Sequence, residues 1–170
     1  MKKKILFVVS SASIIGPKNR KTGNLLPEVA HPYQAFQKHD YDIDVFSVKG
    51  GNAPIEIFER EDPVNTEFLN GDGPERFKTT GSIEDVSLEG YDAMFVPGGL
   101  APVVDMPDNA TVQKIIRTMW ESGKIVSAVC HGPVSLINVK LSDGSWLVDG
   151  KNVTGFSVAE EAGYAKDDVP

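Results

Sequence analysis

Two short apolar runs without polar alternation constrain the fold of this chain most strongly. They span Lys4 to Ser10 and Tyr91 to Val96, and a strand with this pattern is buried on both faces, as in a parallel sheet. Two further strands are expected at Tyr41 to Val48 and at Lys124 to Val129. Because helical patterns separate these strands, we predict an α/β fold with a mostly parallel sheet covered by helices on both faces.

The first strand is followed by a polar loop and then by a predicted helix. Thr22 or Asn24 can cap this helix, whereas Pro32 should kink or split it because proline lacks the backbone N–H. The apolar residues at helical spacing are Leu25, Leu26, Val29, Tyr33 and Phe36. The segment from Gly50 to Gly90 has no clear period, so we expect short helical pieces and loops there.

A second predicted helix has Asp108 as its cap and ends at Gly123. Its apolar stripe consists of Val112, Ile115, Ile116, Met119 and Trp120. Further along, Gly132 to Val139 is expected to form a short helix. Ser145 to Phe156 is predicted to form a hairpin that turns at Asp149-Gly150. Since no linker or repeat interrupts these elements, we treat residues 1–170 as a single domain.

The bulk properties limit the partners and the compartment. With 170 residues, a net charge of −7 and a pI near 4.9, the chain is not expected to bind nucleic acid or an anionic membrane. No apolar run approaches the ~20 residues that span a bilayer. Lys2 to Val9 imitates a signal peptide, but we expect its apolar residues to form the first strand. A single cysteine excludes an internal disulfide and suits a reducing cytoplasm.

Cys130 lies where a strand is expected to turn sharply into a helix. A free cysteine is usually a buried core residue, but this position is that of a nucleophile elbow, which exposes the side chain on a strained turn. The adjacent helix N-terminus would favour the thiolate. The backbone N–H of His131 would be free to bind an oxyanion, and Gly98-Gly99 could supply a second donor from the end of the third strand.

Two further side chains are candidates, each with an ordinary alternative. His131 adjoins Cys130, so its side chain should leave the turn in a different direction. It would then act through the substrate as a general acid or base, or form a structural hydrogen bond. Glu28 is either a solvated helix charge or, given its apolar neighbours, a buried carboxyl that trades a proton with the thiol. With one cysteine and three histidines the sequence offers no zinc set, and we expect no metal.

Three separated segments resemble the ThiJ/PfpI superfamily, specifically its heat-shock chaperone and glyoxalase III branch. They are Lys21-Thr-Gly-x-x-x-x-Glu28-x-x-His-Pro-Tyr33, Val96-Pro-Gly-Gly99 and Ala128-Val-Cys-His-Gly-Pro133. The resemblance implies a flavodoxin-like α/β sandwich that is usually a homodimer. Members of this branch continue for several tens of residues past the position of Pro170, so we expect a fragment, a truncated product or a short homologue.

The resemblance also implies roles for individual residues. Cys130 matches the family nucleophile, Glu28 the acid beside it, and His131 the family histidine. The segment Thr154-Gly-Phe-x-x-x-x-Glu161 matches the one that supplies a third, acidic member. We choose Glu161 for this role over Glu160.

The implied reaction is that of glyoxalase III, which converts methylglyoxal to lactate without glutathione or a metal. Cys130 would attack the aldehyde of a 2-oxoaldehyde to give a hemithioacetal. The amides of Gly99 and His131, with Gly98 beside them, would bind the oxyanion, and His131 or Glu28 would be the base. Repair of glycated proteins is a variant of this function. Two other functions remain open: a cysteine amidase or peptidase, and a redox-sensing or chaperone-like stress protein with an oxidised cysteine.

Overall fold

A five-stranded parallel sheet forms the centre of the computed structural model, which describes residues 2–169. The strands in chain order are β1 (Lys4–Val9), β2 (Ile14–Ile15), β3 (Arg20–Lys21), β4 (Asn24–Leu25), β5 (Asp42–Ser47), β6 (Ile55–Glu56), β7 (Gly81–Ser82), β8 (Ala93–Val96) and β9 (Ile125–Ala128). In space the central strands follow the order β7-β5-β1-β8-β9. Every neighbouring pair among them is parallel, as the sequence predicted. Outside this sheet, β2 and β3 form a short antiparallel hairpin, and β4 pairs with β6.

Helices cover both faces of this sheet, which confirms the predicted flavodoxin-like sandwich. The helices are α1 (Leu26–Lys38), α2 (Pro63–Asn70), α3 (Gly73–Lys78), α4 (Ala101–Asp105), α5 (Ala110–Glu121) and α6 (Val158–Tyr164). On one face Ile5, Phe7 and Val9 pack with α1, α2 and α3. On the other face Leu6 and Val8 pack with α5. Side chains of β1 are therefore buried on both sides, because the strand lies in the middle of the sheet.

Helix α1 differs from the prediction at its start and at its proline. It has no side-chain cap, so the choice of Thr22 or Asn24 was wrong. Asn24 instead accepts a hydrogen bond from the Ser10 N–H at 3.0 Å and donates one to the Ser10 carbonyl at 2.9 Å. Pro32 lies inside the helix without splitting it. The lost hydrogen bond is offset by burial of the apolar face, namely Leu26, Val29, Ala30 and Tyr33.

The second half of the chain contains three further corrections. Asn109, and not Asp108, caps α5 by accepting hydrogen bonds from the N–H groups of Thr111 and Val112. The predicted helix after Cys130 is a 3-10 helix, Gly132–Leu136. The hairpin predicted at Ser145 to Phe156 does not form, since residues 151–160 are exposed and belong to no strand. Gly123 ends α5 as predicted, with φ +70°.

Candidate active site

Three neighbouring strands end at one edge of the sheet and bring the candidate residues together. Ser10 follows β1, Gly98 and Gly99 follow β8, and Cys130 follows β9 closely. The chain order reverses direction across the sheet at β1, and ligands of open α/β sheets bind beside such a reversal, at the carboxyl ends of the strands. The predicted convergence of these strand ends is therefore present.

The turn at Cys130 has the strained geometry of a nucleophile elbow. Cys130 has φ +58°, a left-handed conformation that costs a non-glycine residue about 1–3 kcal/mol. The turn is closed by a hydrogen bond from the Gly132 N–H to the Val129 carbonyl at 2.7 Å. The backbone thus presents a half-buried thiol at the edge of the sheet.

Four groups surround this thiol. Sγ of Cys130 lies 3.3 Å from Nδ1 of His131, so the expectation that the two side chains diverge was wrong. Because Cys130 is left-handed and His131 is right-handed helical, adjacent side chains turn toward one another. The Glu28 carboxyl lies close enough to raise the pKa of the thiol, and the backbone N–H groups of Gly99 and His131 lie close enough to lower it.

Glu28 reaches the thiol from the first turn of α1. Its Oε2 atom accepts a hydrogen bond from the Gly98 N–H at 2.8 Å. A Cβ at Gly98 would lie 2.6 Å from the Cβ of Cys130 and would also overlap the Glu28 carboxyl. Glycine at position 98 is therefore what allows the carboxyl and the thiol to meet, and the half-buried Glu28 is not a freely solvated helix charge.

The His131 imidazole contacts three side chains, those of Cys130, Glu161 and Phe156. The histidine side chain is 6% exposed, and Nε2 lies 2.6 Å from Oε1 of Glu161 in α6. The ring of Phe156 stacks on the imidazole, with centroids 4.2 Å apart and 9° between the planes. Glu160 points elsewhere and forms a capping box with Ser157. The structure thus brings Glu161, rather than Glu160, to the histidine and forms a continuous Cys-His-Glu series.

Burial and the carboxyl of Glu28 raise the pKa of Cys130 to about 11, although the N–H groups of Gly99 and His131 lower it. The N–H group of His131, at the N-terminus of the following helix, favours the thiolate as expected, but not enough to bring the pKa below its ordinary value. The helix that follows is a five-residue 3-10 helix, and the loss of hydration outweighs its effect. At neutral pH Cys130 is a thiol, and attack on a substrate requires a group that takes the proton.

A largely apolar cavity of about 750 Å³ opens beside Cys130 and His131. Its walls include Val103, Pro133, Val134, Leu136, Ile137 and Phe156. Across residues 2–169, no three His, Cys, Asp or Glu side chains are grouped so that they could hold a metal ion. In the same part of the chain no helix is both long and apolar enough to cross a membrane.

Two aromatic contacts at the site were missed from the sequence. Phe156 had no predicted role, although it lies in the segment that supplies Glu161. Tyr164, three residues after Glu161, has its ring centroid 6.3 Å from that of His131. Helical spacing between residues 161 and 164 was the one available signal, because residues three apart share a helix face.

Comparisons with known proteins agree with this geometry. A sequence model described as the DJ-1/PfpI family matches residues 26–166. The chain belongs to this family. The matched range contains Glu28, Gly99, Cys130, His131 and Glu161, and the match confirms the resemblance predicted from the sequence.

Curated relatives and solved structures cover nearly the whole chain. Glyoxalase 3 of Candida albicans is 32% identical over 170 residues, which are 92% of this chain and 70% of that protein. Glutathione-independent glyoxalase HSP31 of Saccharomyces cerevisiae is 28% identical over 99% of this chain and 74% of its own. The crystal structure of glyoxalase III from Candida albicans superposes with a TM-score of 0.83 at 28% identity and covers 94% of this chain and 70% of that one. Rapid Encystment Protein 24 KDa of Francisella tularensis gives a TM-score of 0.91 at 35% identity, with 99% of this chain and 76% of that one covered.

Proposed function

We propose that this DJ-1/PfpI protein is a glutathione-independent glyoxalase of the glyoxalase III type, which converts methylglyoxal to lactate. The observation that carries the proposal is the placement of the Cys130 thiol against His131, which in turn is bonded to Glu161. Its relatives glyoxalase 3 of Candida albicans and glutathione-independent glyoxalase HSP31 of Saccharomyces cerevisiae support the same reaction.

The reaction begins with attack of the Cys130 sulfur on the aldehyde carbon of the 2-oxoaldehyde. Nδ1 of His131 takes the thiol proton, and the Glu161 carboxylate stabilises the resulting imidazolium. The oxyanion of the hemithioacetal accepts hydrogen bonds from the N–H groups of Gly99 and His131, which lie near enough to the sulfur to lower the pKa of the thiol. His131 then returns the proton to that oxygen.

The second half of the reaction moves hydrogen between neighbouring carbons. Glu28 removes the proton from the carbon that bears the sulfur, which gives an enediol, and the adjacent carbon is then protonated. The product is a lactate thioester of Cys130, and water hydrolyses it to lactate and the free thiol. One carbon is oxidised as its neighbour is reduced, so the balance closes with water alone and the scheme uses no cofactor.

The decisive assay measures D-lactate formed from methylglyoxal in the absence of glutathione. Wild-type protein should turn over, Cys130→Ala should show no turnover above background, and Glu161→Gln should lose about 100-fold in kcat because a neutral amide does not stabilise the imidazolium. Glu160→Gln is the matched control, since glutamine preserves the capping box, and it should retain wild-type turnover. Retained turnover in Cys130→Ala would refute the covalent scheme.

We rank a redox-sensing or chaperone-like stress protein second, because burial holds the pKa of the Cys130 thiol above its ordinary value. Oxidation to sulfenic and sulfinic acid proceeds from the thiolate, and a thiol with a pKa of about 11 is almost fully protonated at neutral pH. The Cys-His-Glu series is also suitable for amide hydrolysis. Cleavage of a glutamine or peptide amide by folded wild-type protein, without action on methylglyoxal, would select that function instead.

Compartment and assembly complete the proposal. We place the protein in a reducing compartment such as the cytoplasm, because its single cysteine is the nucleophile and must stay reduced. We also propose that it acts as a homodimer on a free small molecule. Sedimentation equilibrium tests the dimer, and a single species at the 18.4 kDa mass of one chain would contradict it.

A further inference from the structure

Helix α6 carries Glu161 but is weakly attached by its own side chains. None of its residues, Val158–Tyr164, is buried. The segment before it is exposed throughout residues 151–157, and its one described contact with the site is the stacking of Phe156 on His131. Since Glu161 must meet His131 at 2.6 Å, another part of the molecule has to hold α6 in place.

Arg20, in the β2–β3 hairpin, binds the C-terminal end of α6. Its Nη1 atom donates hydrogen bonds to the Tyr164 carbonyl at 3.3 Å and to Oδ2 of Asp168 at 3.2 Å. The guanidinium also lies over the Tyr164 ring, 5.2 Å from its centroid. The Asp168 side chain is 12% exposed and that of Arg20 33%, so this ion pair is partly shielded from solvent, unlike a typical surface pair.

Apolar packing joins the same hairpin to the catalytic loops. Ile15 of β2, Leu100 and Ala165 form a buried cluster. Leu100 directly follows Gly99, whose N–H lowers the pKa of the Cys130 thiol. The hairpin is therefore anchored to the β8 end of the site while it holds the end of α6, and Arg20 lies on the side that faces the helix.

We propose that Arg20 is a positioning residue, which holds the end of α6 so that Glu161 orients His131. Without Arg20, the carbonyl of Tyr164 and the carboxylate of Asp168 lose their shared donor. The end of α6 is then held to the hairpin by the packing of Ala165 on Ile15 without a hydrogen bond to its last carbonyl, and the helix shifts enough to move Glu161 out of hydrogen-bond range of the imidazole. This inference concerns how the site is assembled, and it depends on the proposed function only where turnover is the readout.

The test compares Arg20→Met with Arg20→Lys and with a neighbouring control. Methionine keeps much of the apolar length without the charge. Lysine keeps the charge but loses the planar fork and the stacking on Tyr164, so it should rescue the loss only in part. Lys18→Met is the matched control, because Lys18 makes an exposed ion pair with Asp167 in the same contact, with side chains 77% and 61% exposed.

Two readouts separate failure of this inference from failure of the proposed function. The first is the imidazole N–H proton of His131, observed by NMR in histidine-labelled protein and assigned by its loss in Glu161→Ala, which removes the acceptor. We expect this resonance in wild type and in Lys18→Met, and its loss in folded Arg20→Met. Its retention in folded Arg20→Met would overturn the inference, whether or not the protein turns over methylglyoxal.

The second readout is the methylglyoxal kinetics of the single and double variants. Arg20→Met should lower kcat about tenfold or more with little change in KM, because a displacement of about 1 Å in a catalytic group is enough to cost that much. Since Arg20 acts through Glu161, adding Arg20→Met to Glu161→Gln should cause no further loss of kcat. If the two substitutions reduce kcat independently, so that the double variant loses the product of the two single losses, Arg20 does not act through Glu161.

Discussion

The carboxyl of Glu28 makes a direct prediction about the Cys130 thiol. Glu28→Gln removes a negative charge and replaces a hydrogen-bond acceptor with an amide that can donate to the sulfur. Both changes favour the thiolate, so the pKa of Cys130 should fall from about 11. Glutamine retains an oxygen that can accept the Gly98 N–H, so the substitution should leave the turn at Cys130 in place.

The size of the effect follows from the causes of the raised pKa. Burial is the largest cause and survives the substitution, whereas the hydrogen bond and the charge of Glu28 do not. The pKa in the variant should therefore lie between about 11 and the ordinary value of 9.0. At pH 8 the thiolate fraction is about one in a thousand for a pKa of about 11, and each unit of decrease raises it about tenfold.

The assay is the rate of iodoacetamide alkylation, followed by intact mass from pH 6 to pH 11. Cys130 is the single cysteine, so no other thiol contributes to the mass change. Glu89→Gln is the control, because Glu89 is exposed and its loss changes the net charge by the same amount. An alkylation midpoint in Glu28→Gln that equals or exceeds that of wild type would refute the reasoning.

The same raised pKa has a consequence for stability. The folded state favours the protonated thiol, so the contribution of Cys130 to stability is present below the ordinary pKa of 9.0 and is lost as the pH rises past about 11.

Two further predictions concern packing. Gly98→Ala should lower kcat/KM at least about tenfold, because the added methyl group separates the Glu28 carboxyl from the thiol. Its overpacking should cost about 1–3 kcal/mol of stability. Gly163→Ala, at a site with open space around it, should leave kcat/KM unchanged, and equal values of kcat/KM for the two variants would disprove the close fit at Gly98. Phe7→Ala should lose about 3–5 kcal/mol of unfolding free energy, measured in urea, because Phe7 is 0% exposed. The control Ile125→Ala changes a residue that is 67% exposed and should lose about 0.5 kcal/mol or less. Phe7→Leu keeps most of the volume and should lose less than Phe7→Ala, and a loss in Phe7→Ala no larger than that in Ile125→Ala would contradict the packing argument.

The central sheet could be predicted from the sequence because its middle strands are buried on both faces and therefore consist of uninterrupted apolar residues. The apolar runs at β1 and β8 predicted a mostly parallel sheet, and the predicted cap of α5, Asp108, is one residue away from the observed cap, Asn109. The hairpin expected after Ser145 failed for a physical reason. An Asp-Gly turn at residues 149–150 is a local signal, but two strands also need a partner surface, and residues 151–160 have none.

Part of the site could also be predicted from the sequence, because neighbouring parallel strands end at the same edge of the sheet. The position of Cys130 at a strand end, and of Gly98 and Gly99 at the neighbouring one, follows from topology alone. The contact between Cys130 and His131 depends on one backbone torsion, φ +58° at Cys130, which no residue pattern specifies. The contact of Arg20 with α6 joins positions 144 residues apart, so no local signal could have shown it.

The two carboxylates of the site are supported in different ways, and this difference fits their proposed roles. Glu28 belongs to α1, whose neighbouring residues Leu26 and Val29 are fully buried, so its position is as fixed as the core itself. A base that removes a proton from carbon needs that fixed geometry, because the reacting atoms must be aligned closely. Glu161 belongs to a surface helix and acts on His131 alone, so a lost attachment there changes the state of one imidazole without disturbing the thiol and its two amides. In this proposal, the core fixes Glu28, which touches the substrate. The hairpin of Arg20 instead holds Glu161, which orients His131.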